Sequence, residues 1–252
     1  MYPFYIPSIY RQDSEFLINL RDIKPSIKYY IIIAKHQYEN YAKYYSPSHL
    51  VILPDNIIKI SEIRQYILEL AIKNKETKIW MSDDDLSNFF IKETDQVKKV
   101  DFKTFINKAE KMIDKVILDD PSVVQFGFKY STFAIPAKPV SINTNVGMIQ
   151  LLNISAIKSN PKIKYDTSFL TLEDTDFTVT LFKNGFKNCV FNHLIFTAPR
   201  SGTGKGGLEK DYGLGAKQKG MIQFRKKYGD KLIQISDLEK GKYKINWKEF
   251  QT

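Results

Sequence analysis

The stretch "TKIWMSDDDLSNFF", residues 77–90, governs how the rest of the chain is read. Ile79, Trp80 and Met81 have the apolar, β-favouring character of a strand end, and three aspartates follow at once. In an extended chain alternate side chains share a face, roughly 6–7 Å apart at Cα, which predicts Asp83 and Asp85 on one side and Asp84 on the other. Two carboxylates converging in a crevice repel each other unless one takes a proton or a cation lies between them. A hard divalent ion, Mg²⁺ or Mn²⁺, is the usual counter-ion for oxygen ligands and keeps positions for water and phosphate, so the pattern points to a nucleoside diphosphate. The competing reading is that the acids cap a helix starting near Leu86, where the helix dipole favours negative charge. One aspartate fits that reading well; three in succession fit it less well.

Working outward, the chain alternates strands and helices. "PFYIP" (3–7), "KYYIIIA" (28–34), "HLVILP" (49–54) and "KIWMS" (78–82) read as strands. Between them, 14–23 suits an amphipathic helix capped by Asp13 or Ser14, 37–45 a helix, and 58–74 a longer one with Ile60, Ile63, Ile67, Leu70 and Ala71 at helical spacing. A polar segment then leads into a helix at 102–118. Strand-like runs follow at 123–128, 133–137 and 146–154, a helix ending near Gly185, and a strand at 187–196. This order predicts an α/β fold with a mostly parallel central sheet and helices on both faces. Ligands in such sheets collect at the carboxyl ends of the strands, where the aspartates sit.

At 252 residues, 43% hydrophobic and 26% charged, the chain is expected to form one soluble globular domain, 1–252. No apolar run approaches membrane-spanning length, and "MYPFYIPS" lacks the basic-then-apolar order of a secretory leader. The single Cys189 excludes an internal disulfide and a multi-thiolate zinc site, so a reducing cytoplasm is the expected compartment. Net charge is +10, with 13 Lys+Arg against 6 Asp+Glu from Arg200 onward. A polyanionic partner would suit that bias, as would a merely solvated lysine-rich surface; "KYKINWKEF" spaces its lysines like one exposed strand face.

Two further features carry chemistry. In "LEDTDF" (172–177), helical spacing puts Glu173 and Asp176 on one side, and a carboxylate there could serve as general base on an acceptor hydroxyl or simply solvate a helix face. His193, on an apolar strand, reads by itself as a satisfied core histidine rather than a metal ligand. "SGTGKGG" (201–207) is not a phosphate-binding P-loop, because Lys205 is followed by Gly206 and no convincing helix follows; the segment 201–220 reads as a mobile loop.

Taken in order, "YIPSIYR" (5–11), "YYIIIAKHQYENY" (29–41), "ILPDN" (52–56), "ISEIRQYILELA" (60–71), "WMSDDDLSNF" (80–89), "LEDTDF" and the Gly-Gly-Leu-Glu stretch near 206–209 resemble the GT-A glycosyltransferases. Within them the chain is similar to the TET-associated group found in phages, related to the base-J glucosyltransferases. The resemblance implies a Rossmann-like GT-A fold, with 1–100 the nucleotide-binding half and 101–252 the acceptor half. It implies a UDP-sugar donor, Mn²⁺ or Mg²⁺, and the hydroxyl of a hydroxymethylated pyrimidine in phage DNA as acceptor. Pro7, Ser8 and Arg11 would line the nucleotide pocket, Asp55 would lie near the nucleoside, and Arg64 would support the donor site. Asp83 and Asp85 would hold the metal, joined by His193, while Asp84 would lie on the donor side with a mainly structural part and tolerate change best. Asp174 matches the carboxylate that acts as base in inverting members, with Glu173 and Asp176 close by; Lys205 would close over the diphosphate. Alternatives are a glycan, lipid or protein acceptor, a metal-dependent nuclease or phosphatase, and a non-catalytic DNA-binding relative.

Overall fold

The computed structural model describes residues 1–94, 96–132, 135–199 and 214–251. The first half builds as expected: β1 (Phe4–Pro7), α1 (Glu15–Asp22), β2 (Tyr29–Ala34), the short α2 (Tyr38–Ala42), β3 (Leu50–Leu53), α3 (Ile60–Lys73) and β4 (Ile79–Ser82). Local chemistry sets the helix starts. The Ser14 side chain accepts the Leu17 amide at the head of α1, and Glu62 accepts the amides of Lys59 (3.0 Å) and Ile58 (3.1 Å) at the head of α3.

After the aspartates comes a strand pair, β5 (Phe89–Glu93) and β6 (Gln96–Val100), and no helix near Leu86. This removes the helix-capping explanation for the acidic run. Then follow α4 (Phe102–Asp119), β7 (Val123–Tyr130), β8 (Val140–Ile142), β9 (Ile149–Leu152), α5 (Ile154–Ile157), α6 (Glu173–Lys183) and β10 (Lys187–Phe196). Of the expected strand at 133–137, residues 135–137 are not in a strand, and 133–134 lie outside the described residues. The chain ends with α7 (Leu214–Tyr228), β11 (Ile233–Asp237) and β12 (Lys242–Ile245). The expectation that no helix follows the Gly-rich segment is therefore corrected. The sequence signal for α7 was masked by its two glycines and many lysines, and the helix is held instead by tertiary packing.

Ten strands form one sheet in the order β3-β2-β1-β4-β9-β7-β10-β5-β6, with β8 pairing β10. The pairings β3–β2, β2–β1, β1–β4 and β7–β10 are parallel, and β9 joins β4 to β7 antiparallel to both. Seven strands (β1 to β4, β6, β7 and β10) thus point one way, against β5, β8 and β9. Because β1 to β4 are parallel, the loops after Pro7, Ala34, Leu53 and Ser82 emerge along one edge.

Strand alternation divides the core between the two faces. Phe4, Ile6, Ile31, Ile33 and Trp80 pack on one side under α1, α2 and α4. Tyr5, Ile32, Ile79 and Met81 pack on the other under α3, α5 and α6. A third cluster joins Phe169, Leu172 and Val179 to Met221, Phe224, Leu232 and Ile233, seating the C-terminal segment against α6. No helix among the described residues is long and apolar enough to cross a membrane.

Candidate active site

At the end of β4 the extended chain stops at Ser82, and Asp84 and Asp85 lie in a turn. Strict alternation therefore fails. Asp83 is ion-paired to Arg64 of α3 (Nη2 to Oδ1, 3.2 Å), whereas Asp84 and Asp85 are both held by Arg11 Nη1 at 2.9 Å. The predicted isolation of Asp84 is corrected accordingly: in the turn it shares Arg11 with Asp85, while Asp85 remains the first of the acids whose charge acts on Asp83. Asp84 is also the most enclosed of the three, 4% exposed, and its Oδ2 accepts from Ser8 Oγ at 2.6 Å. That environment makes it the structural anchor of the turn and reverses the expectation that it tolerates change best. Ser8 Oγ in turn shares a 2.6 Å hydrogen bond with Tyr41 Oη, which also accepts the Arg11 amide at 3.1 Å. Pro7, the last residue of β1, is buried beside Ile32.

Arg64 is the hinge of the acidic cluster. Its Nη1 pairs with Glu173 Oε1 at 3.0 Å while its Nη2 holds Asp83. Burial by itself would lower the guanidinium pKa, but the charges of Glu173 and Asp83 outweigh it and hold it above its ordinary value. One cation cannot satisfy every acid nearby. Burial, opposed by Arg64 and reinforced by the charges of Asp85, Asp84 and Asp174, pushes Asp83 up to about 7. Burial, opposed by Arg64 and reinforced by Asp174, pushes Glu173 up to about 7 as well. Three buried polar atoms here have no hydrogen-bond partner among the described residues, Ser82 Oγ, Asp85 Oδ1 and Arg64 Nε. Native proteins rarely leave such groups unpaired unless a ligand completes them.

Asp174 sits in the first turn of α6, next to Glu173. Its Oδ1 accepts the Thr175 amide at 2.6 Å, and its Oδ2 lies 4.0 Å from where a Cβ on Gly147 would stand. The carbonyl of the next residue, Met148, accepts the Asp83 amide at 2.7 Å, so the β9 approach, Asp83 and Asp174 share one wall. Backbone strain collects at this edge: Tyr10 (φ 55°), Met148 (φ 51°) and Leu172 (φ 67°) are all in the left-handed region that non-glycine residues avoid. Beneath it, Gln125, Gln150 and Tyr165 form a buried chain, with Gln125 Nε2 to Gln150 Oε1 at 2.7 Å and Gln150 Nε2 to Tyr165 Oη at 3.1 Å. Every link is satisfied within the protein, which makes this a rigid floor.

Asp176 departs from the expected role. It is fully buried, and Oδ1 takes Lys227 Nζ at 2.8 Å and Tyr228 Oη at 2.8 Å from α7. It faces the joint with the C-terminal segment, so helical spacing with Glu173 did not bring the two to one site. Asp55 is exposed in the turn after β3, on the same edge as the Arg11 loop. His193 is half-buried on β10. Among the described residues no three of His, Cys, Asp or Glu converge as a preformed metal cage, so His193 does not join Asp83 and Asp85 in one. Lys205 and the Gly-rich stretch to 213 lie outside the described residues. Sequence reasoning passed over Tyr41, Met148 and Tyr165. Tyr41 was within reach, since it closes the "YENY" run, but nothing local distinguished it from neighbouring tyrosines.

A carboxylate cluster on the carboxyl edge of a mostly parallel sheet defines an α/β protein with its candidate ligand site at the strand ends. The particular family is given by the sequence: the family model TET-Associated Glycosyltransferase matches residues 2–207, and the chain belongs to that glycosyltransferase family. No curated protein matches the sequence. Among solved structures the chain is similar to CMP:2-keto-3-deoxy-manno-octonic acid synthetase complexed with CTP, at 10% identity over 86% of this chain and 100% of that one, TM-score 0.44. It is similar to A197 from STIV at 13% identity, covering 78% of this chain and 84% of that one, TM-score 0.42. A third is mannose-1-phosphate geranyltransferase from Thermus thermophilus, at 7% identity over 78% of this chain and 73% of that one, TM-score 0.39.

Proposed function

We propose that this glycosyltransferase moves a sugar from a UDP-sugar to the hydroxyl of a hydroxymethylated pyrimidine in phage DNA, with Mn²⁺ or Mg²⁺ held by Asp83 and Asp85. One observation carries the reading. Carboxylates outnumber cations at the strand ends, and Asp85 Oδ1 is buried without a partner among the described residues. A divalent ion fits that donor set, because Mg²⁺-like ions commonly bind through one or two carboxylates and complete their shell with diphosphate oxygens and water. When bound, it supplies Lewis-acid stabilisation of the diphosphate leaving group.

The chain's own residues do the rest. Arg64 fixes Asp83 and Glu173 at set positions, and Arg11 with Ser8 fixes the turn that carries Asp85. The loops holding Pro7, Ser8, Arg11 and Asp55 form the edge on which the nucleotide rests. The acceptor oxygen attacks the anomeric carbon, the bond from that carbon to the β-phosphate oxygen breaks, and UDP departs with the bonding pair. Asp174 takes the acceptor's proton on its Oδ2, which has no hydrogen bond among the described residues. Lys205, expected on the diphosphate, lies outside the described residues.

The test is incubation of UDP-sugars and Mn²⁺ with hydroxymethylated and with plain duplex DNA. A mass gain of one hexose or N-acetylhexosamine on the hydroxymethylated duplex alone is expected, and Asp174→Asn should suppress it. Absence of both metal-dependent UDP-sugar binding and turnover would refute the reading.

A further inference from the structure

The family match stops at residue 207, yet the chain continues into α7, β11 and β12, and these are built tightly against the start of α6. Thr171 Oγ1 donates to the Ala216 carbonyl at 3.3 Å. One turn later, a side chain on Gly220 would overlap Thr171 Oγ1 and stand 3.0 Å from the Thr171 carbonyl oxygen. Only glycine permits that approach. Lys227 and Tyr228 then close on Asp176, as described above. The first turn of α6, which carries Glu173 and Asp174, is therefore flanked directly by residues 216–220.

Within this segment Ile235, Tyr243 and Ile245 point to the inner face of the two-stranded sheet and pack at the rim of the third core cluster, while Lys242 and Lys244 point outward. Lys217 Nζ lies over the Tyr243 ring, 5.8 Å from its centroid. Gly241 makes room for it: a Cβ there would be 2.9 Å from Lys217 Cδ. The Tyr243 hydroxyl has no hydrogen-bond partner among the described residues, although the ring is half-buried. Its phenol feels the acids of the site, since burial first and then the charges of Asp174 and Glu173 push it above its ordinary value.

We propose that Tyr243, held in place by Lys217, is an acceptor-facing wall of the active site, a specificity-determining contact contributed by the C-terminal segment beyond the family-matched residues. Its unpartnered hydroxyl, carried by the segment that packs through residues 216–220 against the start of α6, hydrogen-bonds the acceptor and aligns the reactive hydroxyl with Asp174. Lys217 fixes the ring through its face and presents a cation to an acceptor phosphate. This assignment rests on the proposed function, in which Asp174 meets the acceptor.

The experiment uses the full chain with Tyr243→Phe, Lys217→Ala and Lys217→Arg. Three quantities are measured: hydrolysis of UDP-glucose by water with Mn²⁺, the donor KM, and kcat/KM for hydroxymethylated duplex DNA. Tyr243→Phe is expected to lower kcat/KM for DNA about tenfold, the loss of one hydrogen bond, while hydrolysis, donor KM and Tm stay unchanged. Lys217→Ala should follow it, and Lys217→Arg should recover most of the loss because the cation over the ring is kept. If hydrolysis and transfer fall together, or if neither changes, Tyr243 is scaffold and the wall is overturned. If the wild-type enzyme hydrolyses the donor yet never modifies the duplex, the DNA reading fails, and the wall fails with it.

Discussion

Two clusters of carboxylates flank the start of α6, and they are built for opposite ends. Around Asp176 the charge is paired: the side chain is fully buried, and Lys227 and Tyr228 both bond its Oδ1 at 2.8 Å, leaving Oδ2 without a hydrogen bond among the described residues. Around Asp83 the charge is left open. Asp83 and Asp85 keep 31% and 23% of their side-chain exposure, and Arg64 is shared between Asp83 and Glu173. The first arrangement is a joint, in which a buried acid is tolerable only because a cation is brought to it. The second stores repulsion that a ligand can relieve, as sites of function commonly do at some cost in stability.

The largest effect should separate the clusters by activity. Asp83→Ala or Asp85→Ala should lower sugar transfer by about 100- to 1,000-fold, on the order of losing one electrostatic contact to a developing charge. Circular dichroism and Tm should remain those of a folded protein, because either change relieves a crowded set of acids. Wild-type turnover in both variants would break the distinction.

The next effect should run the other way. Lys227→Met strands Asp176 without its counter-charge and should destabilise the protein by about 2–3 kcal/mol, towards the lower end for a broken buried pair because the lysine is itself a third exposed. Chemical denaturation reads it directly. A variant as stable as the wild type would mean that Asp176 is neutral in the folded state.

A smaller effect sharpens the comparison through pH. Asp83 and Glu173 are raised to about 7 from ordinary values of 3.8 and 4.5, so the folded protein binds their protons more tightly than the unfolded chain does. Their contribution to stability is complete below about pH 4 and is lost as pH climbs through about 7. The Tm of metal-free protein should therefore fall between about pH 5 and pH 8, with a shallower slope in Asp83→Asn. Added Mn²⁺ should raise Tm more at about pH 8 than at about pH 5, because metal and protons compete for the same carboxylates. Equal slopes in the variant and the wild type would remove Asp83 from this balance.

What was legible beforehand divides along the same line. The strands β1 to β4 could be read from their apolar runs, and α1, α3 and α4 from a local period behind a local cap, such as Ile60, Ile63 and Ile67 with Glu62. The hairpin of β5 and β6 was hidden because its outer strand, "QVKKV", is exposed through four of its five positions and carries no inward face to recognise. The helix α7 was hidden because its propensity is weak and its stability comes from Met221 and Phe224 against Phe169 and Leu172.

For the site, the sequence by itself determined that "SDDDL" ends a buried strand, that Arg64 and "LEDTDF" accompany it, and which family the chain resembles. These are properties of composition and order, which the chain carries before it folds. Only the tertiary structure decided how the acids divide. A turn after Ser82 joined Asp84 to Asp85 through Arg11, and Arg64 reached across from α3 to tie Asp83 to Glu173. The seating of α7 drew Asp176 out of the active site and into a joint. Pairing between charges depends on through-space distance and on burial, and neither can be read from spacing along the chain once the backbone leaves a regular strand or helix.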